Sequence, residues 1–288
     1  MLKKLMKYEW KSLSKQLLIM VAILFGTTLI ASLVIVSINP DYDDVTTGLM
    51  TMSAILAFLL YYFGIIVCTI GTMLIVAIRF YKTCYTDEGY LTHTLPVSTG
   101  QLLSSKIIVG TLAYIGIMIL IAVSVVSIVM VGLVHIASFA DVSLEITTDT
   151  ALTWQSLWHE FNAEFTEDFG ISIIGYGLIL LGICLIGCVC SIVDIFGCIS
   201  LGQLYTKHRI IGAILAYFIL NFVTQIISYI GAIPTYLNLA FANEAENEIK
   251  MFDLISPSLI FNTILSIVIA VIMLFVTRYM MTKKLNLE

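Results

Sequence analysis

Arg79-Phe-Tyr-Lys-Thr-Cys-Tyr-Thr-Asp-Glu-Gly-Tyr-Leu-Thr-His-Thr-Leu-Pro-Val-Ser-Thr-Gly-Gln-Leu-Leu-Ser-Ser-Lys106 is a polar stretch set between two long apolar runs, 48–78 and 107–136. An apolar run of about 20 residues is what a helix needs to cross a hydrocarbon core of ~30 Å. Working outward from this stretch, four further runs follow the same rule, at about 17–38, 171–203, 210–233 and 259–277. The reading is an all-α polytopic membrane protein with six transmembrane helices forming one transmembrane domain over 1–288. Composition agrees: 60% of the 288 residues are hydrophobic, 11% are charged and the mean hydropathy is +1.04. Soluble chains carry about 25% charged residues, so a soluble domain is excluded.

The basic residues set the expected orientation. Lys3, Lys4, Lys7, Lys11 and Lys15 precede the first run, and Arg79, Lys82 and Lys106 lie in the 79–106 stretch. Lys207 and Arg209 lie in the turn before the fifth run, and Arg278, Lys283 and Lys284 follow the sixth. Only Lys250 falls on the opposite side, so the positive-inside rule places both termini and the 79–106 loop in the cytoplasm. The segments at 39–47, 137–170 and 234–258 are then external, and most acidic residues lie in them. Within 137–170, Trp154, Trp158, Phe161, Phe165 and Phe169 recur at helical spacing, as in a short aromatic helix resting on the outer interface.

Residues 1–16 are amphipathic. At 100° per residue the five lysines share one face and Leu2, Leu5, Met6, Trp10 and Leu13 the other, which predicts an interfacial helix lying on anionic headgroups. Glu9 and Trp10 are its notable residues. Glu9 projects on the apolar side, and two readings stand open: it snorkels or pairs with a nearby lysine, or it pairs with another part of the bundle. The first apolar run is too long for a signal-peptide core and no small-residue cleavage site follows it, so it reads as a retained span.

Little in the chain encodes chemistry. Gly100-Gln-Leu-Leu-Ser-Ser-Lys106 approaches a phosphate-binding loop but lacks its second glycine and follows no strand, so no ATP site is present. Cys68, Cys84, Cys184, Cys188, Cys190 and Cys198 lie in apolar runs or in the 79–106 loop, which suits packing and not a metal or a disulfide framework. His93, His135, His159 and His208 are dispersed. No catalytic, cofactor or metal site is expected. Asp194 is the single charged residue inside a span, where a carboxylate is costly unless paired, hydrated or neutral. Asn221, Gln225 and Ser228 share a face of the fifth span, the pattern of polar contacts between helices. Asp194, Asn221 and Gln225 are the candidate gating or substrate-path residues.

Three motifs carry a resemblance: Lys7-Tyr-Glu-Trp-Lys11 at the N-terminus, the run Thr86-Asp-Glu-Gly-Tyr-Leu-Thr-His-Thr-Leu-Pro-Val-Ser98, and Leu201-Gly-Gln-Leu-Tyr205 with Lys207-His-Arg209. Together with six spans and both termini inside, they resemble the type-2 (ABC-2-like) permease family, membrane subunits of ABC transporters in low-GC Gram-positive bacteria. The resemblance covers essentially the whole chain. It implies a bacterial plasma-membrane exporter subunit without its own ATPase activity. ATP and Mg would be held by a separate ATPase subunit, and a second permease subunit, the same or a related chain, would complete the complex. It implies a coupling helix in the 79–106 loop shaped by Leu95-Pro96, with Asp87, Glu88 and Tyr90 beside it. Lys207 and Arg209 would make a second contact with the ATPase. The acidic, aromatic outer segments point to a cationic amphipathic cargo such as an antimicrobial peptide or a drug. Partners are thus membrane lipid and protein, with no nucleic acid. The competing classes are a non-transporting scaffold or sensor partner and an ion-coupled secondary carrier with Asp194 as its proton site.

Overall fold

The computed structural model describes residues 2–37, 44–86, 98–139, 159–167, 169–205, 208–244 and 251–283. Six long helices make up almost all of them: α1 (Leu2–Ser37), α2 (Asp44–Tyr85), α3 (Thr99–Phe139), α4 (Ile173–Gly202), α5 (Arg209–Glu244) and α6 (Met251–Lys283). All six are long and apolar enough to cross a membrane, as expected of a multi-pass all-α protein. The chain forms two compact units, Met1–Leu144 with Leu287–Glu288 and Glu145–Asn286, with three of the six helices in each.

Several helices run past the boundaries read from the sequence. The 42 residues of α2 rise about 63 Å and the 41 of α3 about 62 Å, roughly twice the hydrocarbon thickness. Residues 79–85 and 99–106, expected within a loop, are the end of α2 and the start of α3. Residues 1–16, expected as a separate interfacial helix, continue into the first span as a single helix. In the sequence Arg79 and Lys106 mark the edges of apolar runs, whereas a charge that finds a partner in the bundle does not end a helix. Pro234 directly follows the fifth apolar run and Pro257 precedes the sixth, places where proline commonly bounds a helix, yet both lie inside helices. Proline is tolerated in membrane helices whose neighbours hold them. Here Gly231 abuts the Phe261 ring one turn before Pro234, and Phe252 packs on Tyr176 ahead of Pro257.

In the first unit α1 packs against both α2 and α3. The buried face of α2 is a ladder at intervals of three or four residues: Ala57, Tyr61, Gly64, Cys68, Thr72, Val76, Phe80 and Cys84. Its small members let α1 approach closely. Cys68 Sγ donates to the Met20 carbonyl at 3.4 Å, and Gly71 faces the Met20 sulfur. Toward the other end Tyr61 and Ser124 share a buried 2.8 Å hydrogen bond.

In the second unit α4 packs against α5 and α6. Its last third is buried on nearly every side, Ile192, Val193, Ile195, Phe196, Gly197 and Cys198 included. Gly197 sits against Met273, and Gly202 meets the backbone of Ala213 across the α4–α5 turn. At the far end Ser172 caps α4 by accepting from the Gly175 amide. Ahead of it 159–167 is helical. Gly170, at φ 81°, reverses the chain there while its amide bonds the Thr166 carbonyl at 2.9 Å. Phe165 and Phe169 stack at 4.2 Å, and Tyr176 packs on both. The expected aromatic helix is thus present over 159–167, with Trp154 and Trp158 outside the described residues.

The Gly202 contact gives a test of packing. A Cβ at Gly202 would meet backbone atoms, which cannot swing away, whereas at Gly64 it would meet the Thr27 side chain. Gly202→Ala is expected to cost about 1–3 kcal/mol, the range for overpacking. Gly64→Ala should cost clearly less. Thermal unfolding of both variants in detergent measures the difference, and equal midpoints would contradict this account.

Candidate functional site

The sequence of α1 sets up the site. At 100° per residue Glu9 lies opposite the stripe of Lys3, Lys7, Lys11 and Lys15, so a helix that exposes the lysines turns Glu9 inward. Lys3, Lys7, Lys11 and Lys15 are exposed. The Glu9 carboxylate meets two cations: Oε2 accepts from Arg79 Nε at 2.7 Å, and Oε1 accepts from Lys106 Nζ at 2.8 Å. The open reading of Glu9 therefore resolves toward pairing within the bundle. Arg79 ends the second apolar run and Lys106 precedes the third, so one carboxylate of α1 holds both roots of the intervening segment.

Hydroxyl groups accept from a second donor of each cation. Arg79 Nη1 donates to Ser12 Oγ, one turn along α1 from Glu9, and Lys106 Nζ donates to Thr83 Oγ1. Thr83 Oγ1 in turn donates to the Arg79 carbonyl at 2.8 Å. The Lys106 side chain is only 4% exposed, against 17% for Glu9 and 19% for Arg79. An ammonium this deep is tolerated because it is ion-paired and hydrogen-bonded at once. Around the cluster lie Leu13, Phe80, Cys84, Leu102 and Leu103, all buried, with the Phe80 and Tyr85 rings edge to face at 6.0 Å. Through this one carboxylate α1 is tied to both α2 and α3. Among the described residues no three His, Cys, Asp or Glu side chains come together as metal ligands.

Asp87, Glu88, Tyr90, Leu95, Pro96 and Lys207 lie outside the described residues. Trp10 neighbours Glu9 but is 44% exposed. In the second unit Arg209 opens α5 and is half-buried. Asp194 is half-buried in α4, and its Oδ1 is buried without a hydrogen-bond partner among the described residues. Asn221 and Gln225 are exposed on α5. Missed were the partners: Arg79 and Lys106 read as topology signals, and Ser12 and Thr83 carried no signal. The available clue was the lone acid on the apolar face of a lysine-rich helix.

Comparison with protein-family models, with curated proteins and with solved structures returned no match.

Removing the carboxylate leaves two cations facing each other in a low-dielectric site. Breaking one side of a buried ion pair costs about 3–5 kcal/mol. Glu9→Gln should therefore lower the unfolding midpoint sharply. Replacing the triad by apolar residues (Glu9→Leu, Arg79→Leu, Lys106→Met) should restore much of the loss, since nothing charged is then left unpaired. Thermal unfolding of the single and triple variants in detergent checks both, and a silent Glu9→Gln would show the cluster to be incidental.

Proposed function

We propose that this chain is the membrane-spanning permease subunit of an ATP-driven ABC transporter, working as an exporter with its ATPase supplied as a separate subunit. The 79–106 segment is the place where that subunit docks. The observation that supports this is the Glu9 joint. A segment rooted in two helices that are both ion-paired to a third passes a displacement to all three. A segment on free helix ends would move alone. The resemblance in Glu88-Gly-Tyr-Leu and Leu95-Pro96-Val-Ser98, and in Lys207-His-Arg209, points the same way. Exposed Glu160, Glu164 and Glu167 beside the exposed Phe161 ring suit a cationic amphipathic cargo.

The deciding experiment is a mild-detergent pull-down of the chain from its native bacterial membrane. A co-purifying ATPase with a phosphate-binding loop is expected, lost on Leu95→Asp and retained on a Leu49→Asp control at the opposite end of α2, where the side chain is exposed. Recovery of the chain without any ATPase, where a control transporter keeps its own, would move the assignment to a scaffold or sensor partner.

A second reading rests on Asp194, whose buried Oδ1 has no hydrogen-bond partner among the described residues, the kind of group an ion-coupled carrier would use. Asp194→Asn separates the two. An ATP-driven exporter should keep most of its protection of cells against cationic peptides when Asp194 is made neutral. A proton-coupled carrier should lose it altogether.

A further inference from the structure

Both α5 and α6 carry a proline in their interior, Pro234 and Pro257. Proline has no amide hydrogen, so the Ile230 and Asp253 carbonyls lose their helical donors. The two gaps lie at nearly the same level. The contacts Tyr176–Phe252 and Gly197–Met273 show α6 running with α4, while the Gly202–Ala213 contact turns α5 back against both. From the point where Gly231 abuts the Phe261 ring, Pro234 is about 4.5 Å further along α5 and Pro257 about 6 Å back along α6, in the same direction. Both proline side chains are exposed. A proline ring pushes on the carbonyl of the preceding turn and opens the helix on its own side. Each bend therefore carries the far end of its helix toward the unit.

Aromatic rings meet that end. Phe252, ahead of Pro257, packs edge to face on Tyr176 at 6.2 Å. Tyr176 packs in turn on the stacked Phe165 and Phe169, at 6.1 and 5.8 Å. A single aromatic pair is weak, so it holds a segment without fixing it. On the other side of the hinge, about 7.5 Å along α6 from Pro257, lies Asn262. Its Oδ1 is buried with no hydrogen-bond partner among the described residues. A dry, unpartnered acceptor is costly, and water or a donor group reaching it removes that cost.

We propose that the end of α5 beyond Pro234 and the end of α6 ahead of Pro257 form a hinged lid on the second unit. Phe252 on Tyr176 is its latch, and its opening lets water or a hydrogen-bond donor reach Asn262. The two prolines act as one hinge because they lie level on adjacent antiparallel helices, so both ends swing about the same line. Closed, the lid keeps the ring contact and leaves the Asn262 oxygen dry. Open, it gives up the ring contact and the oxygen is satisfied. The two effects oppose each other, which keeps both states populated. The lid lies within one unit and uses neither the 79–106 segment nor a partner, so it stands or falls apart from ATP-driven transport.

Hydrogen exchange read by mass spectrometry, on the full chain in lipid nanodiscs, tests the lid. Phe252→Ala should speed amide exchange over 235–244 and 251–256 about two- to tenfold, the effect of losing one aromatic pair. Exchange over 209–230 and 263–280 should stay unchanged, because the boundary of the opening unit is the hinge. Pro234→Ala with Pro257→Ala restores both helical hydrogen bonds and should slow exchange over the same two end stretches at least about fivefold. Asn262→Leu removes the unpartnered acceptor and should slow it as well. Alanine is the better helix former, so the proline pair keeps the test decisive if Phe252→Ala does not fold. Faster exchange spread along the whole of α5 and α6 in Phe252→Ala would mean loosened packing and no lid. Exchange indifferent to the alanine pair, or to Asn262→Leu, would overturn the proposal.

Discussion

One carboxylate organises the first helical unit. Glu9 joins α1 to α2 through Arg79 and to α3 through Lys106, and it is the only salt-bridged acid among the described residues. Its position explains why these helices outrun a bilayer. A helix that leaves the hydrocarbon needs another reason to persist, since the apolar environment no longer forbids unpaired backbone groups. For α2 and α3 the reason is the joint and the packed side chains around it. The unit is most densely buried at this basic end, where Phe80, Cys84, Ser105 and Lys106 are nearly inaccessible.

Elsewhere the helices hold together by shape. Most serine and threonine hydroxyls that form hydrogen bonds turn back to a carbonyl three or four residues earlier, as Thr72 does to Cys68 and Thr277 to Met273. Such bonds satisfy the hydroxyl without linking helices. Among the described residues, hydrogen bonds between helices include Tyr61 with Ser124, Cys68 with Met20, His135 with the Val36 carbonyl, the Ile173 amide with Asn162 Oδ1, and the Glu9 cluster. In lipid, where apolar surface gains nothing by meeting apolar surface, close contact through glycine, alanine and cysteine does most of the remaining work. The ladder on α2 and the Gly197–Met273 contact are the clearest cases.

The helices and their number were legible because hydropathy is a local property that needs no knowledge of neighbours. Their ends were not, because an end depends on partners. Arg79 and Lys106 look like boundaries until Glu9 is known to face them, and Pro234 looks like a terminator until Gly231 is seen against Phe261. The site was half legible. A lone acid on the apolar side of a lysine helix announced that it needed a partner, but pairing across 70 and 97 residues of sequence leaves no periodic trace. Thr83 and Ser12 look like any other hydroxyls in a helix.

The two units also meet their polar groups in opposite ways. In the first, an acid and two bases satisfy one another within a single chain, so the joint is complete and rigid. In the second, the Asp194 oxygen and the Asn221 and Gln225 amides are left with unused hydrogen-bonding capacity among the described residues. Rigid joints carry force between helices, and polar groups without a fixed partner let helices exchange contacts at little cost. The first unit has the chemistry of the former, and α4 and α5 have the chemistry of the latter.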